Sequence, residues 1–385
     1  MIAGTASGSL FDAKRGVSLT EFVGAKGEPG PSGTGVVYVP AQIFCTPERA
    51  QDLQSAGVQM VRLVTNPFPL MNVTEDQRAD AIGHVMECAD RLLSYGIAVI
   101  VDVHFWSPNV GQNQVAVLSD PVQFSALRTG LVQLAIELKR RPQDSVALEP
   151  FNEPPCKLNN AVEYDWPRLQ EDLIMQLRKV APMLPLVVTG CSGALDQMMN
   201  LVQPYLFLDN KLIFSFHFYE PFVFTHQYVW GDTKIDNIEY PPQRADRENA
   251  IQKARARIAA AALSLESTAQ IDRAARSYIN SDYGETRILN RLREVADWAR
   301  DHRLQPSRVF VGEYAAAIGI GTGAGSPAVR ASEIRWLTDV HSAIERFGFL
   351  SAFWTFPRKT SYAYDESTNF MKSEYLKALG LRAPK

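Results

Sequence analysis

Nowhere along its 385 residues does the chain hold an apolar run near the roughly 18 residues a membrane helix needs, so no helical span is expected. Cysteine is scarce. The four residues Cys45, Cys88, Cys156 and Cys191 are too few for a disulfide scaffold and show no C-x-x-C spacing, which leaves the redox compartment open. Basic tracts are missing too. The 39 basic and 42 acidic residues leave a net charge of −3, and "LKRR" at 138–141 ends a helical pattern where positive charge suits the helix dipole, so nucleic acid is not an expected partner. The opening "MIAGTASGSLFDAKRG" lacks the charged start and apolar block of a secretory signal, and residues 1–14 read as an extension ahead of a folded region at 15–385.

Motifs for several chemistries are equally lacking. Six histidines include no H-E-x-x-H, so no metal is expected. "GCSGALD" at 190–196 is not G-x-S-x-G, and "GIGTGAG" at 319–325 matches neither G-x-G-x-x-G nor a P-loop with its lysine, so neither a serine nucleophile nor a nucleotide cofactor is indicated. "GAKGEPGPSG" at 24–33 has glycine at every third position, but so few triplets cannot sustain a triple helix and read as a loop.

What is present is core material: apolar residues make up 46% of the chain and charged residues 21%, the balance of a globular enzyme. Eight strand-like segments recur, "RGVSL" (15–19), "VQMVRLV" (58–64), "IAVIVDVHF" (97–105), "VALEPF" (146–151), "LPLVVTG" (184–190), "KLIFSFHF" (211–218), "SRVFVGEY" (307–314) and "FLSAFWTF" (349–356). Helical periodicity marks 75–95, 121–140, 165–181, 284–301 and 331–347. Strands alternating with helices imply parallel pairing, and eight such units imply a closed (β/α)₈ TIM barrel in one α/β domain. The long interval between the sixth and seventh strands predicts an insertion, with an aromatic loop at 219–243, a helix at about 246–265 and a polar stretch before the next helix.

In such a barrel the C-terminal strand ends carry chemistry. Here they carry Arg62 on the second strand, His104 on the third, Asn152 and Glu153 on the fourth, His217 and Tyr219 on the sixth, Glu313 on the seventh and Trp354 on the eighth. Any one of these has an ordinary packing explanation; together they converge on one mouth. Two carboxylates across a cleft suit glycosidic bond cleavage, one protonating the leaving oxygen and the other attacking the anomeric carbon or activating water. Glu153, beside apolar residues and prolines, is expected to have a raised pKa. Glu313 is expected to stay ionised, with Arg62 and the Tyr219 hydroxyl as donors.

The motifs "VRLV", "DVHF", "FNEP", "HFYEP", "VGEY" and "FWTF" resemble glycoside hydrolase family 5, the cellulase-like retaining enzymes, from about Arg15 to Leu379. The resemblance implies Glu153 as acid/base, Glu313 as nucleophile, Arg62 supporting the nucleophile, His104, Asn152, His217 and Tyr219 positioning sugar and carboxylates, and Trp354 as a sugar platform. It implies a secreted or periplasmic enzyme, and the reading adopted is of a monomer acting without cofactor on a glucan-like oligo- or polysaccharide. The segments "SLTEFVGAKG" and "PRKTSYAYDESTNF" depart from a plain endoglucanase pattern and leave the glycan open. A transglycosylase, a hydrolase of a non-glucan exopolysaccharide or glycolipid, and a carbohydrate-binding pseudoenzyme are the rival readings.

Among further aromatics, Trp106 follows His104 by two and is read as lining the mouth, Trp166 as packing, and Trp230 or Tyr228 of the inserted loop either as stacking on sugar or as packing the insertion. Cys156 and Cys191 follow adjacent strands at the same barrel end; they are either a disulfide bracing the loop of Glu153 or two free buried thiols.

Overall fold

A computed structural model describes residues 13–20, 38, 40–105, 114–158, 165–201, 203–227, 238–242, 247–260, 265–316, 327–356 and 362–384. Residues 1–12, both glycine-rich stretches, Trp106, Tyr228 and Trp230 lie outside this set.

All eight expected strands form: β1 (Arg15–Leu19), β2 (Met60–Thr65), β3 (Ala98–Val103), β4 (Val146–Glu149), β5 (Leu186–Ala194), β6 (Leu212–Phe218), β7 (Val309–Tyr314) and β8 (Leu350–Phe353). Each pairs in parallel with the next, and β8 returns to β1, so the sheet closes into a barrel in sequence order. The outer faces, with residues such as Val61, Val101, Leu148 and Phe214, are fully buried beneath surrounding helices. Fully burying each such side chain contributes roughly 1.5–3 kcal/mol.

The helices begin where local chemistry favours them. Thr74 and Gln77 form a reciprocal capping box at the start of Glu75–Ser94, and Asp120 accepts from the Val122 amide ahead of Pro121–Leu138. Within the barrel, the two-residue strand period sorts side chains by height. The lower tier is an apolar plug that includes Met60, Ala98, Ile100, Ala147, Ile213 and Phe310. Two residues further along the strands that tier gives way to Arg62, Asp102, Glu149 and Ser215, all buried.

Two sequence expectations need correction. The polar stretch of the insertion contains a helix of its own, Leu265–Ile279, in addition to Arg247–Ala260. Ile271, Ala275, Tyr278 and Ile279 supply a buried stripe at helical spacing within a polar sequence, enough to hold it against its neighbours. The fifth strand also extends past Gly190. Its ladder breaks after Thr189, turns through Ser192 (φ 57°) and Gly193 (φ 61°), and rejoins β6 where Ala194 faces His217.

Candidate active site

The expected strand-end residues in the described part of the chain meet at the C-terminal mouth of the barrel, around a cavity of about 490 Å³ lined by His104, Glu153, Gly193, His217, Tyr219, Glu313 and Trp354, among others. Trp166 is buried below, its indole N–H donating to the Thr189 carbonyl at 2.8 Å.

The floor is built on Arg62, whose side chain has no exposed surface. A buried guanidinium is costly unless its donors are met, and here they are. Nη1 donates to Glu313 Oε1 at 2.8 Å, Nε and Nη2 form a two-pronged pair with Glu149 at 2.8 and 3.0 Å, and Nη2 also reaches Asn152 Oδ1 at 2.8 Å and Asp102 Oδ2 at 3.0 Å. Three carboxyls around one cation exceed its charge. Burial pushes the Asp102 carboxyl up to about 7 against the pull of Arg62, and raises Glu149 in the same way. Asp102 Oδ1 is buried without a hydrogen-bond partner among the described residues, which further favours its protonated form. Asp102 and Glu149 were not singled out from the sequence, although a charged residue inside each of the apolar runs "IVDVHF" and "VALEPF" is the signal that marks them.

The same network fixes the tautomer of His104. Because Asn152 Oδ1 accepts from Arg62, its Nδ2 faces His104 Nε2 at 3.1 Å and must donate to it. The histidine proton therefore sits on Nδ1, directed at Asp102 Oδ2 3.2 Å away. Burial lowers the pKa of this imidazole, and its ring lies 5.4 Å from that of Trp354 with 16° between planes.

The two glutamates stand in contrasting surroundings. Glu313 is buried and accepts on both oxygens, from Arg62 on one and from the Tyr219 hydroxyl, at 2.7 Å, on the other. Glu153 has 38% of its side-chain surface open to the cleft, and burial of its surroundings raises its pKa, with His104 and Arg62 opposing. Between them stands His217, pushed down to about 4 by burial and hence neutral near pH 7. Its Nδ1 is 2.5 Å from Glu153 Oε1 and 3.5 Å from Glu313 Oε2, so a neutral imidazole and a glutamate of raised pKa share one proton across the shorter contact. One ligand-type atom each of Glu153, His217 and Glu313 falls within 4.8 Å of the others, a spacing that could also hold a cation. The Arg62 guanidinium on Glu313 would repel one, and both Glu313 oxygens already accept hydrogen bonds.

Glu153 sits at a positive φ of 38°, which costs on the order of 1–2 kcal/mol for a residue with a Cβ, so its loop must be held from outside. Gln114 donates to its carbonyl at 2.9 Å, and the Ser192 amide donates to Pro154 at 2.6 Å. Cys156 and Cys191 are disulfide-bonded with Cα atoms 4.9 Å apart, so the bracing alternative for this pair is the one the structure contains. Cys45 and Cys88 form a second bond, at a Cα separation of 5.3 Å, that the sequence reading did not anticipate. Gly193 completes the enclosure. A Cβ there would lie 2.9 Å from His217 Nδ1 and 3.0 Å from Glu153 Cγ, at a φ that side chains rarely adopt. Gly193→Ala is expected to push the two groups apart and lower kcat by about a hundredfold, with a small loss of melting temperature. Steady-state kinetics with wild-type kcat would show that the contact is not needed.

A profile of the family described as Cellulase (glycosyl hydrolase family 5) matches residues 23–356. Endoglucanase C of Acetivibrio thermocellus is 22% identical over 358 residues, covering 88% of this chain and 92% of that protein. Among solved structures, a hyperthermophilic endo-β-1,4-glucanase in complex with substrate superposes with a TM-score of 0.65 at 19% identity, covering 95% of this chain and 96% of that one. Thermotoga maritima Cel5A in complex with cellobiose superposes with a TM-score of 0.62 at 18% identity, covering 95% and 97%. With a family match over most of its length and a closed eight-stranded barrel, the chain belongs to glycosyl hydrolase family 5, the cellulase family, and is a glycoside hydrolase.

Proposed function

We propose that the protein hydrolyses β-glycosidic bonds of a glucan-like oligo- or polysaccharide with retention of configuration, using Glu313 as nucleophile and Glu153 as acid/base. The observation that carries this reading is the pairing of opposite environments at short range: one oxygen of each glutamate within 4.8 Å, Glu313 supplied with charge-stabilising donors and Glu153 raised in pKa. Retaining sites hold their carboxyls about 5–5.5 Å apart, whereas inverting sites leave roughly 6.5–9.5 Å for a water. In the first step Glu313 attacks the anomeric carbon as the bond to the leaving oxygen breaks and Glu153 gives that oxygen its proton. In the second, Glu153 takes a proton from water, which attacks the same carbon and frees Glu313. His217 donates to Glu153 while it is charged. Asn152 and His104 position the sugar hydroxyls, and Trp354 lies beneath the ring. The glucan preference is supported by the endoglucanase relatives and the cellobiose complex of Cel5A.

Residues 15–385 are read as one catalytic domain. No helix among the described residues is long and apolar enough to cross a membrane. The two disulfides favour maturation in an oxidising compartment, hence secretion or a periplasmic location.

Glu153→Gln tests the assignment together with NMR of the first product anomer. On unactivated glycans it is expected to reduce kcat/KM by about a thousandfold or more, and on aryl glycosides with good leaving groups far less, because only the former need the proton. The alkaline limb of the wild-type pH profile, where Glu153 loses its proton, should vanish from glycosylation in the variant. An inverted first product, or equal losses on both substrate types, would overturn the proposal.

A further inference from the structure

A second depression, of about 600 Å³, lies beside the catalytic cavity, between Pro221–Val223 and the helices Leu265–Ile279 and Glu285–Asp301. It is continuous with the cleft through Phe222, which lines both. Phe222 is 36% exposed, and its ring stacks on His226, itself a wall of the catalytic cavity, at 3.6 Å with 15° between planes. The rings behind it are anchored. The Tyr278 hydroxyl donates to the Glu239 carbonyl at 2.8 Å, and Tyr283 donates to Glu220, whose carboxylate is also held by Arg291. The surface is therefore preorganised rather than loosely packed.

Resting on the catalytic reading above, we infer that this groove binds the leaving-group end of the same glucan chain, several sugars beyond the bond that is cut. Direction comes from the cleft itself. Glu153 protonates the leaving oxygen, and its side of the cavity is walled by Gly193 and Ala194 of β5, by Leu195 just beyond it, and by Glu220, Phe222 and His226 after β6, with Trp354 of the β8 end as the glycone platform. A chain leaving past Glu153 meets Phe222 and then the groove. The lining suits a neutral sugar polymer: a fixed aromatic face for the apolar C–H side of a pyranose, and exposed Ser277, Asp282 and Arg287 for its hydroxyls.

Ala274 and Ser277 are exposed on one face of the Leu265–Ile279 helix, so Ala274→Trp and Ser277→Trp fill the groove without opening the core. Arg287→Ala removes atoms instead, and keeps the test available should an indole disturb the helix. The measurement is kcat/KM on cello-oligosaccharides graded from disaccharide to hexasaccharide, each divided by kcat/KM on an aryl β-cellobioside, whose short aglycone does not reach the groove. For the longest oligosaccharides this ratio should fall about tenfold in the tryptophan variants and about threefold in Arg287→Ala, the loss of one stacking or hydrogen-bonding contact. Ratios equal to wild type in all three would overturn the groove while leaving the catalytic reading intact. A wild-type protein that turns over neither substrate class would overturn both.

Discussion

Glu313→Gln is expected to lower kcat by at least about ten-thousandfold, close to 5 kcal/mol of barrier, while the protein keeps its fold. The amide is isosteric and keeps an oxygen for Arg62 or Tyr219, so the network around it persists; what disappears is the proposed nucleophile and its charge. No covalent glycosyl intermediate should accumulate with a slowly released activated substrate, as mass spectrometry of the intact protein can read. Azide sharpens the assignment. In Glu313→Ala it should enter from the vacated side and give a glycosyl azide of inverted configuration, since Glu153 still protonates the leaving group. In Glu153→Ala it should attack the glycosyl-enzyme from the other face and give the retained product. If the two configurations are exchanged, the roles of the two glutamates are exchanged with them. A Glu313→Gln protein that keeps more than about a hundredth of wild-type kcat removes Glu313 from the mechanism.

The second large effect is on stability. Arg62→Met should cost about 3–5 kcal/mol, because three buried carboxyls lose the cation that faces them. A drop in melting temperature of about 4–6 °C follows for a chain of this length. Its pH dependence has a definite sign. Unfolded Asp and Glu titrate at about 3.9 and 4.3, whereas Asp102 is already held up to about 7 and Glu149 is raised with Arg62 in place. Without it the folded chain retains protons that the unfolded chain has released, so the deficit is small near pH 4 and grows as pH rises through and beyond 7. Melting curves of both proteins at about pH 4.5 and about pH 8 measure the gap. An equal gap at both values would show that shape, not charge, makes Arg62 necessary.

Much of this site was readable from residue types alone, for a physical reason. A charged or hydrogen-bonding residue at the end of an apolar strand has few places to go in a barrel except the mouth, so His104, Glu153, His217 and Glu313 announced themselves, as did Arg62 in the floor beneath Glu313. The same period-two logic gave the eight strands, because the outer positions are continuously apolar. Asp102 and Glu149 escaped notice because they lie one step inside the strands, where a lone acid looks like an exception until its partner is seen. The helix Leu265–Ile279 escaped because its buried stripe is diluted by serine, threonine and arginine. The Cys45–Cys88 bond joins residues 43 positions apart through tertiary packing, and spacing alone cannot choose among pairings. Gly193 gave no signal either: its role depends on how close one α-carbon comes to His217.

The two-tiered interior of the barrel has a further consequence, for which charge the mouth will admit. Above the apolar plug, one guanidinium faces Asp102, Glu149 and Glu313, with Glu153 nearby at the rim. As the raised carboxyls release their protons with rising pH the sum turns negative, and the slab of low polarizability beneath directs its field lines outward through the opening. Polymers decorated with uronate, sulfate or phosphate approach against that potential, most strongly at low ionic strength, where the screening length is longest. An uncharged polyol chain approaches at no such cost, so the arrangement that stabilises Arg62 also acts as a charge filter on the glycans that reach Glu313.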